Sequence, residues 1–198
     1  WRSFELDPTA PAVFETSLTE LLSKKYGMSL VQARKMQDDM TRVAADEGLE
    51  FHFEKARGGN TFDAHQVLHL AKTRGLGDAM KERLLKAYFT EGLATSDRDV
   101  LVELATEVGL EAGEVGEALA SDAFKTAVRA DEGMAHQIGV RGVPFFLIEG
   151  EYGVSGAHPS EALLSVLNQA WEEKGPGKAA KMVGGPGEHC DDDGCEMP

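Results

Sequence analysis

The run at residues 139–148, of sequence GVRGVPFFLI, constrains the fold of this chain more than any other stretch. Its last four residues are all apolar, which is typical of a central strand whose two faces are covered by helices. Pro144 has no N–H to donate to a strand ladder, so it belongs at the first position of that strand. Residues 149–155 then predict a hairpin turn and a short second strand, and residues 158–160 predict a helix with Pro159 in its first turn.

The chain before this run is predicted to be one strand followed by many helices. Residues 1–6 alternate, with Trp1, Ser3 and Glu5 on one side, which predicts a strand. From residue 17 to residue 136 the apolar residues recur at helical spacing. The motifs SLTE at 17–20 and SLVQ at 29–32 are capping boxes that predict two helix starts. Asn60 or Thr61 is predicted to cap the helix that follows, and residues 96–99 are predicted to cap a later helix. Residues 49–53 are predicted to form a short extended piece.

Composition narrows the class of protein. With 198 residues and 42% hydrophobic content, the chain can bury one good core. A formal net charge of −14 argues against a nucleic-acid partner, because that affinity depends on clustered Lys and Arg. The sequence has no apolar run long enough to span a bilayer, so no membrane partner is expected. Two cysteines without a scattered pairing pattern favour a cytoplasmic protein whose disulfide, if formed, is catalytic or regulatory.

Both cysteines lie in the last stretch of the chain, residues 175–198, whose glycines, prolines and polar residues predict a flexible tail. Cys190 and Cys195 are separated by four residues, a spacing that allows the two sulfurs to meet. The carboxylates around them disfavour the thiolate, so the pair is expected to resolve or relay a disulfide rather than to attack first. Two other interpretations remain open, an inert tail and a metal site that also uses His189 and an aspartate.

Several stretches together resemble one family. Residues 139–148 and the string YGVSGAHP at 152–159 are similar to the cis-proline region of the DsbA-like thioredoxin superfamily. Within it they resemble the FrnE-like branch, which is grouped with the 2-hydroxychromene-2-carboxylate isomerases. The strings WRSFELDP at 1–8, GNTFDAHQVLHLA at 59–71 and VRADE at 128–132 agree with this resemblance, which covers nearly the whole chain in order.

The resemblance implies an α/β thioredoxin-like fold with a large all-helical insertion. It assigns residues 1–16 and 121–174 to the thioredoxin-like domain, 17–120 to the insertion and 175–198 to the tail. A thioredoxin-like sheet also needs a central strand and a C-P-x-C motif, and these residues contain neither. We therefore expect both upstream of Trp1 in the parent protein, and we expect this chain on its own to show almost no turnover in ordinary dithiol assays.

The resemblance also implies the function and its residues. The function is thiol-disulfide exchange by a disulfide oxidoreductase or isomerase, with Cys190 and Cys195 as an auxiliary dithiol. The backbone at Val143, before a cis Pro144, would bind a substrate peptide as an added strand. Asn60 and His65 would face the active-site cleft, although the residues themselves favour the structural interpretation, a helix cap and a partly buried histidine. His65 and His69 could bind zinc only with a third ligand, so no metal is expected.

The expected partners are disulfide-containing clients, together with glutathione or a thioredoxin-type reductant, and no cofactor is implied. Two other classes of function stay open. A glutathione-dependent isomerase would carry a serine in place of the primary cysteine. A non-catalytic redox sensor or holdase would use the tail dithiol as its switch.

Overall fold

The computed structural model of the protein describes residues 1–121 and 123–175, so Cys190 and Cys195 lie outside the described residues. The described chain divides into two compact units, the first comprising Trp1–Val143 and the second beginning at Pro144. Helices α1 to α7 belong to the first unit, and a hairpin and helix α8 belong to the second. No helix among the described residues has both the length and the apolar character needed to cross a membrane.

The described residues of the first unit form seven α-helices in chain order. Their bounds are α1 Leu18–Tyr26, α2 Leu30–Asp46, α3 Phe62–Thr73, α4 Gly77–Lys86, α5 Arg98–Glu107, α6 Ala112–Ala120 and α7 Ala123–Gln137, with one π-helical turn, Ala87–Glu91, directly after α4. Helix α3 is central and packs against α4, α5, α6 and α7, whereas α1 and α2 pack mainly on each other. The fully buried side chains include Val67 of α3, Met80 of α4, Leu101 and Leu104 of α5, and Val115 of α6.

Local signals place most of these helix ends. Both predicted capping boxes are confirmed: the Ser17 N–H donates to Glu20 Oε2 at 2.8 Å, and the Ser29 N–H donates to Gln32 Oε1 at 2.9 Å. Gly27 ends α1 in the left-handed conformation (φ 64°), which glycine adopts without steric cost. The cap of α5 is Asp97, whose carboxylate accepts hydrogen bonds from the Asp99 and Val100 amides.

The prediction of a strand at residues 1–6 is wrong for the described structure, although buried and exposed side chains do alternate along this segment. Ser3 and Glu5 are buried while Trp1 and Leu6 are exposed. No strand pairs with this segment among the described residues, whose sheet consists of β1 and β2 alone. Two amides of the segment bond to side chains of α7 instead of to a neighbouring strand. Residues 49–53, also predicted to be extended, likewise form no strand.

The second unit begins with the predicted hairpin, which is confirmed. Strand β1, Phe145–Ile148, pairs antiparallel with β2, Tyr152–Ser155, with Phe145 opposite Ser155 and Ile148 opposite Tyr152. Gly153 leaves room for the Phe145 ring, because a Cβ at this position of β2 would lie 2.9 Å from the tip of that ring. The amphipathic helix predicted after Pro159 is α8, Ser160–Lys174, with Pro159 as its N-cap.

The burial predicted for β1 is not observed in the described structure. Phe146 is 38% exposed and Leu147 is 43% exposed, although both belong to the apolar run that indicated a central strand. Side chains of neighbouring strand residues point to opposite faces. The two exposed residues therefore leave both faces of β1 partly uncovered, which a two-stranded sheet with α8 packed beside β2 explains.

Buried residues of the helical core are expected to contribute most to the free energy of unfolding of the first unit. We expect Leu101→Ala to lower the free energy of unfolding by about 2–5 kcal/mol, because Leu101 is fully buried and the substitution leaves a cavity. Leu85→Ala on α4 is the matched control. Leu85 is 40% exposed, and its loss should cost about 0.5 kcal/mol or less. Urea unfolding followed by circular dichroism measures both, and equal losses would contradict this description of the core.

Candidate functional site

The backbone at Val143 and Pro144 is the first of the expected site segments. Val143 ends the first unit and is 50% exposed. Among the described residues neither its N–H nor its C=O has a hydrogen-bond partner. Pro144 begins the second unit, and its carbonyl accepts a hydrogen bond from Gly156 at 2.9 Å, one residue beyond the end of β2. Val143 therefore offers one donor and one acceptor that an extended peptide could use.

Asn60 lies in a tight loop in front of α3. Its backbone N–H donates to the carbonyl of Pro11 at 2.8 Å, and its side-chain Oδ1 accepts from the N–H of Phe62 at 2.8 Å. Its Nδ2 donates to the carbonyl of Pro8 at 3.4 Å. Gly59 allows the close approach, because a Cβ there would lie 2.1 Å from the Ala12 carbonyl oxygen. Asn60 thus joins the loop after residue 6 to the start of α3, whose N-cap residue is Thr61.

Two adjacent acids of α7 bind the extended segment at residues 1–6. Asp131 Oδ2 accepts from the Ser3 N–H at 2.9 Å, and Asp131 Oδ1 accepts from Arg2 Nη1 at 2.9 Å. The next residue, Glu132, accepts from the Glu5 N–H through Oε1 at 3.4 Å. The side chain of Asp131 is only 5% exposed. Side-chain carboxylates of a helix therefore bond alternate amides of the segment, as a neighbouring strand would.

A serine, a histidine and an aspartate meet at this contact, but they do not form a hydrolytic triad. Ser3 Oγ lies 3.2 Å from His69 Nε2, and Asp131 Oδ2 lies 3.3 Å from the same nitrogen. In a catalytic triad the serine and the acid contact different ring nitrogens. Here both contact Nε2, so the imidazole cannot take a proton from the serine while the acid orients it.

Glu5 and Glu132 share one cation. Arg129 Nη1 donates to Glu5 Oε2 at 2.6 Å and to Glu132 Oε2 at 2.5 Å. The side chain of Glu5 is only 1% exposed, and its Oε1 is buried without a hydrogen-bond partner among the described residues. Burial raises the pKa of Glu5 above its usual value, and the neighbouring Glu132 adds to the rise. Burial also acts on Glu132, but hydrogen bonds from Arg129 and Glu5 hold the pKa of Glu132 below its usual value.

His65 and His69, four residues apart on α3, line a pocket of about 300 Å³ in the first unit. Burial lowers the pKa of His65, which favours the neutral imidazole, and a hydrogen bond with the backbone of Phe4 opposes this shift. Between residues 1 and 175, leaving out residue 122, no group of three or more His, Cys, Asp or Glu side chains could hold a metal ion. The pair therefore has no third ligand within the described structure.

The acids that fix residues 1–6 were not identified as site residues from the sequence. The string VRADE at 128–132 was noted only for its family resemblance, and nothing in it distinguishes a buried carboxylate from an exposed one. The alternation at residues 1–6 did place Glu5 on the same side as Ser3. A glutamate on the buried side of such a segment is the signal that predicts a charged partner elsewhere in the fold.

Comparison with known families decides the classification. The sequence model for the DSBA-like thioredoxin domain matches residues 1–168. The chain belongs to this family. The thioredoxin-like α/β fold expected from the sequence is thereby confirmed, and in chain order the helices α1 to α7 come before the hairpin.

Two individual proteins illustrate the similarity. The crystal structure of a probable DsbA oxidoreductase from Streptomyces coelicolor matches with a TM-score of 0.83 and 42% sequence identity, over 100% of this chain and 83% of that chain. The uncharacterized protein YwbO of Bacillus subtilis is 25% identical over 176 residues, which is 88% of this chain and 82% of YwbO.

The Glu5–Glu132 pair predicts opposite effects of two isosteric substitutions. Because the folded pKa of Glu5 is raised, its contribution to stability is present below pH 4.5 and is lost as the pH rises through the folded value. Because the folded pKa of Glu132 is lowered, its contribution is present above pH 4.5 and is lost as the pH falls. Glu5→Gln should therefore leave the free energy of unfolding at pH 7 unchanged or higher, whereas Glu132→Gln should lower it by about 1.5–3 kcal/mol.

Urea unfolding of both variants at pH 4, 5.5 and 7 tests this pair. The stability of Glu5→Gln relative to wild type should grow with rising pH, and that of Glu132→Gln should fall. If Glu5→Gln loses as much stability at pH 7 as Glu132→Gln, the two carboxylates are equivalent and the opposite directions of their pKa shifts are wrong.

Proposed function

We propose that the protein acts in thiol-disulfide exchange, as a disulfide oxidoreductase or isomerase of the FrnE-like branch. The observation that carries the proposal is the match of the DSBA-like thioredoxin domain to residues 1–168. The 42% identity to a probable DsbA oxidoreductase, over the whole of this chain, supports it. The expected setting is the cytoplasm, and the expected partners are disulfide-containing clients and a reductant of the glutathione or thioredoxin type.

Substrate binding is assigned to the backbone at Val143, next to Pro144. An extended peptide gains main-chain hydrogen bonds when it adds to a segment whose N–H and C=O are unpaired. The exposure of Val143 and its unpaired N–H and C=O in the described structure support this assignment. Asn60 is a second candidate contact, because the second N–H of its Nδ2 is left over after the bond to Pro8.

A resolving or relaying role is assigned to Cys190 and Cys195, the two cysteines of this sequence. The thiolate of one attacks a mixed disulfide that glutathione has already formed with a client, so that a new mixed disulfide forms and one substrate sulfur leaves as a thiolate. The second cysteine then attacks the new mixed disulfide, which closes the Cys190–Cys195 bond and releases the other substrate sulfur. Two electrons pass from the dithiol to the substrate, and the two thiol protons end on the two substrate thiols.

A single-turnover exchange assay tests this function. The reduced chain is mixed with a fluorescent peptide that contains one disulfide, and the released thiol is followed over time. We expect the chain to react about tenfold faster than a free peptide of residues 186–198, because docking at Val143 raises the local concentration of the disulfide. Cys190→Ser and Cys195→Ser should each stop the reaction at the mixed disulfide or before it, as mass spectrometry can record.

Two substitutions at one position separate docking from side-chain effects. Val143→Pro removes the N–H that would bond the substrate, and Gly142 tolerates the restriction that a proline imposes on the preceding residue. Val143→Ala keeps the N–H and removes only the side chain. Val143→Pro should reduce the rate to that of the free peptide, while Val143→Ala stays within about twofold of wild type. Equal rates for both variants and wild type would remove the docking assignment.

A further inference from the structure

The pocket at the turn between α3 and α4 contains two lysines without a carboxylate partner. Lys72 lies in the last turn of α3, and Lys81 lies on α4. Neither ammonium forms an ion pair within the part of the chain that the structure describes. The Lys81 ammonium lies over the indole of Trp1, with Nζ 4.0 Å from the ring centroid. This contact holds a positive charge against an aromatic surface at the pocket wall.

The acids of the same pocket are already engaged. Asp131 accepts from Arg2 and from the Ser3 amide, and it also contacts His69. Asp78 accepts from the indole Nε1 of Trp1 at 3.0 Å. The lining carries three cationic side chains, of Arg2, Lys72 and Lys81, against the two carboxylates, which is an excess of one positive charge in a chain whose formal net charge is −14.

Other lining residues leave the pocket open and give it both an apolar wall and hydrogen-bonding groups. Gly75 and Gly77 place no side chain over the opening at the turn. Leu68 supplies an apolar wall, and the imidazoles of His65 and His69 supply groups that can donate or accept hydrogen bonds. A volume of about 300 Å³ is at the lower end of the range of small-molecule sites and suits a small metabolite rather than a polypeptide.

We propose that this pocket binds a small dicarboxylate, with Lys72 and Lys81 each bonded to one carboxylate. The carbon chain between the carboxylates packs on Trp1 and Leu68, which explains why an aromatic and an aliphatic side chain stand beside the two cations. The site is independent of the thiol-disulfide exchange proposed above, since it uses neither cysteine and neither Val143 nor Pro144.

Binding of succinate, measured by titration calorimetry at low ionic strength, tests the site. Lys72→Gln and Lys81→Gln should each weaken binding about tenfold or more, because each removes one charge-assisted hydrogen bond. Lys24→Gln is the matched control, since it removes the same charge from an exposed lysine of α1 that does not line the pocket. It should change the dissociation constant less than about twofold.

A second readout reports the location of the ligand. Trp171→Phe leaves Trp1 as the only tryptophan of the chain, so succinate should change the fluorescence of this variant in a saturable manner. Circular dichroism confirms that each variant is folded. Three results would overturn the proposal: no saturable binding of succinate, equal weakening by all three lysine substitutions, or binding of inorganic phosphate but not of succinate.

Discussion

The first unit depends on the bond between two acids of α7 and the backbone of the extended segment at residues 1–6. Asp131 and Glu132 are consecutive in sequence, yet they accept from amides two residues apart, those of Ser3 and Glu5. Each of these amides is buried, and a buried N–H without an acceptor costs about 1–3 kcal/mol. The two carboxylates remove that cost without a neighbouring strand, and they connect the first residues of the chain to a helix more than 120 positions later.

This contact between α7 and residues 1–6 also positions residues around α3 and the pocket beside it. Arg129, which serves the Glu5–Glu132 pair, has its guanidinium 4.2 Å from the centre of the Phe62 ring at the start of α3. Asp131 holds Arg2 and Ser3 at one side of the pocket that His69 and Lys72 line from α3. Helix α3 is thus in contact with the extended segment, the pocket and the helical core. A change in the charge of this cluster is expected to affect all three.

The sequence predicted those parts of the fold that local chemistry determines. The capping boxes at 17–20 and 29–32, the turn at Gly27 and the hairpin after Pro144 each depend on residues close together in the chain. The extended segment was mistaken for a strand because alternation reports which side is buried and not which group accepts the hydrogen bonds. The exposure of Phe146 and Leu147 was missed for a related reason, since an apolar run does not reveal how many strands its sheet contains. Partners distant in sequence decide both features.

Amide hydrogen exchange at residues 2–6, followed by nuclear magnetic resonance, tests the central claim most directly. If α7 bonds alternate amides, those of Ser3 and Glu5 exchange slowly while those of Arg2 and Phe4 exchange fast. Asp131→Ala then accelerates exchange at Ser3 more than at Glu5. Uniform exchange along the segment, or an unchanged rate at Ser3 in Asp131→Ala, would show that the carboxylates of α7 do not hold this segment in place.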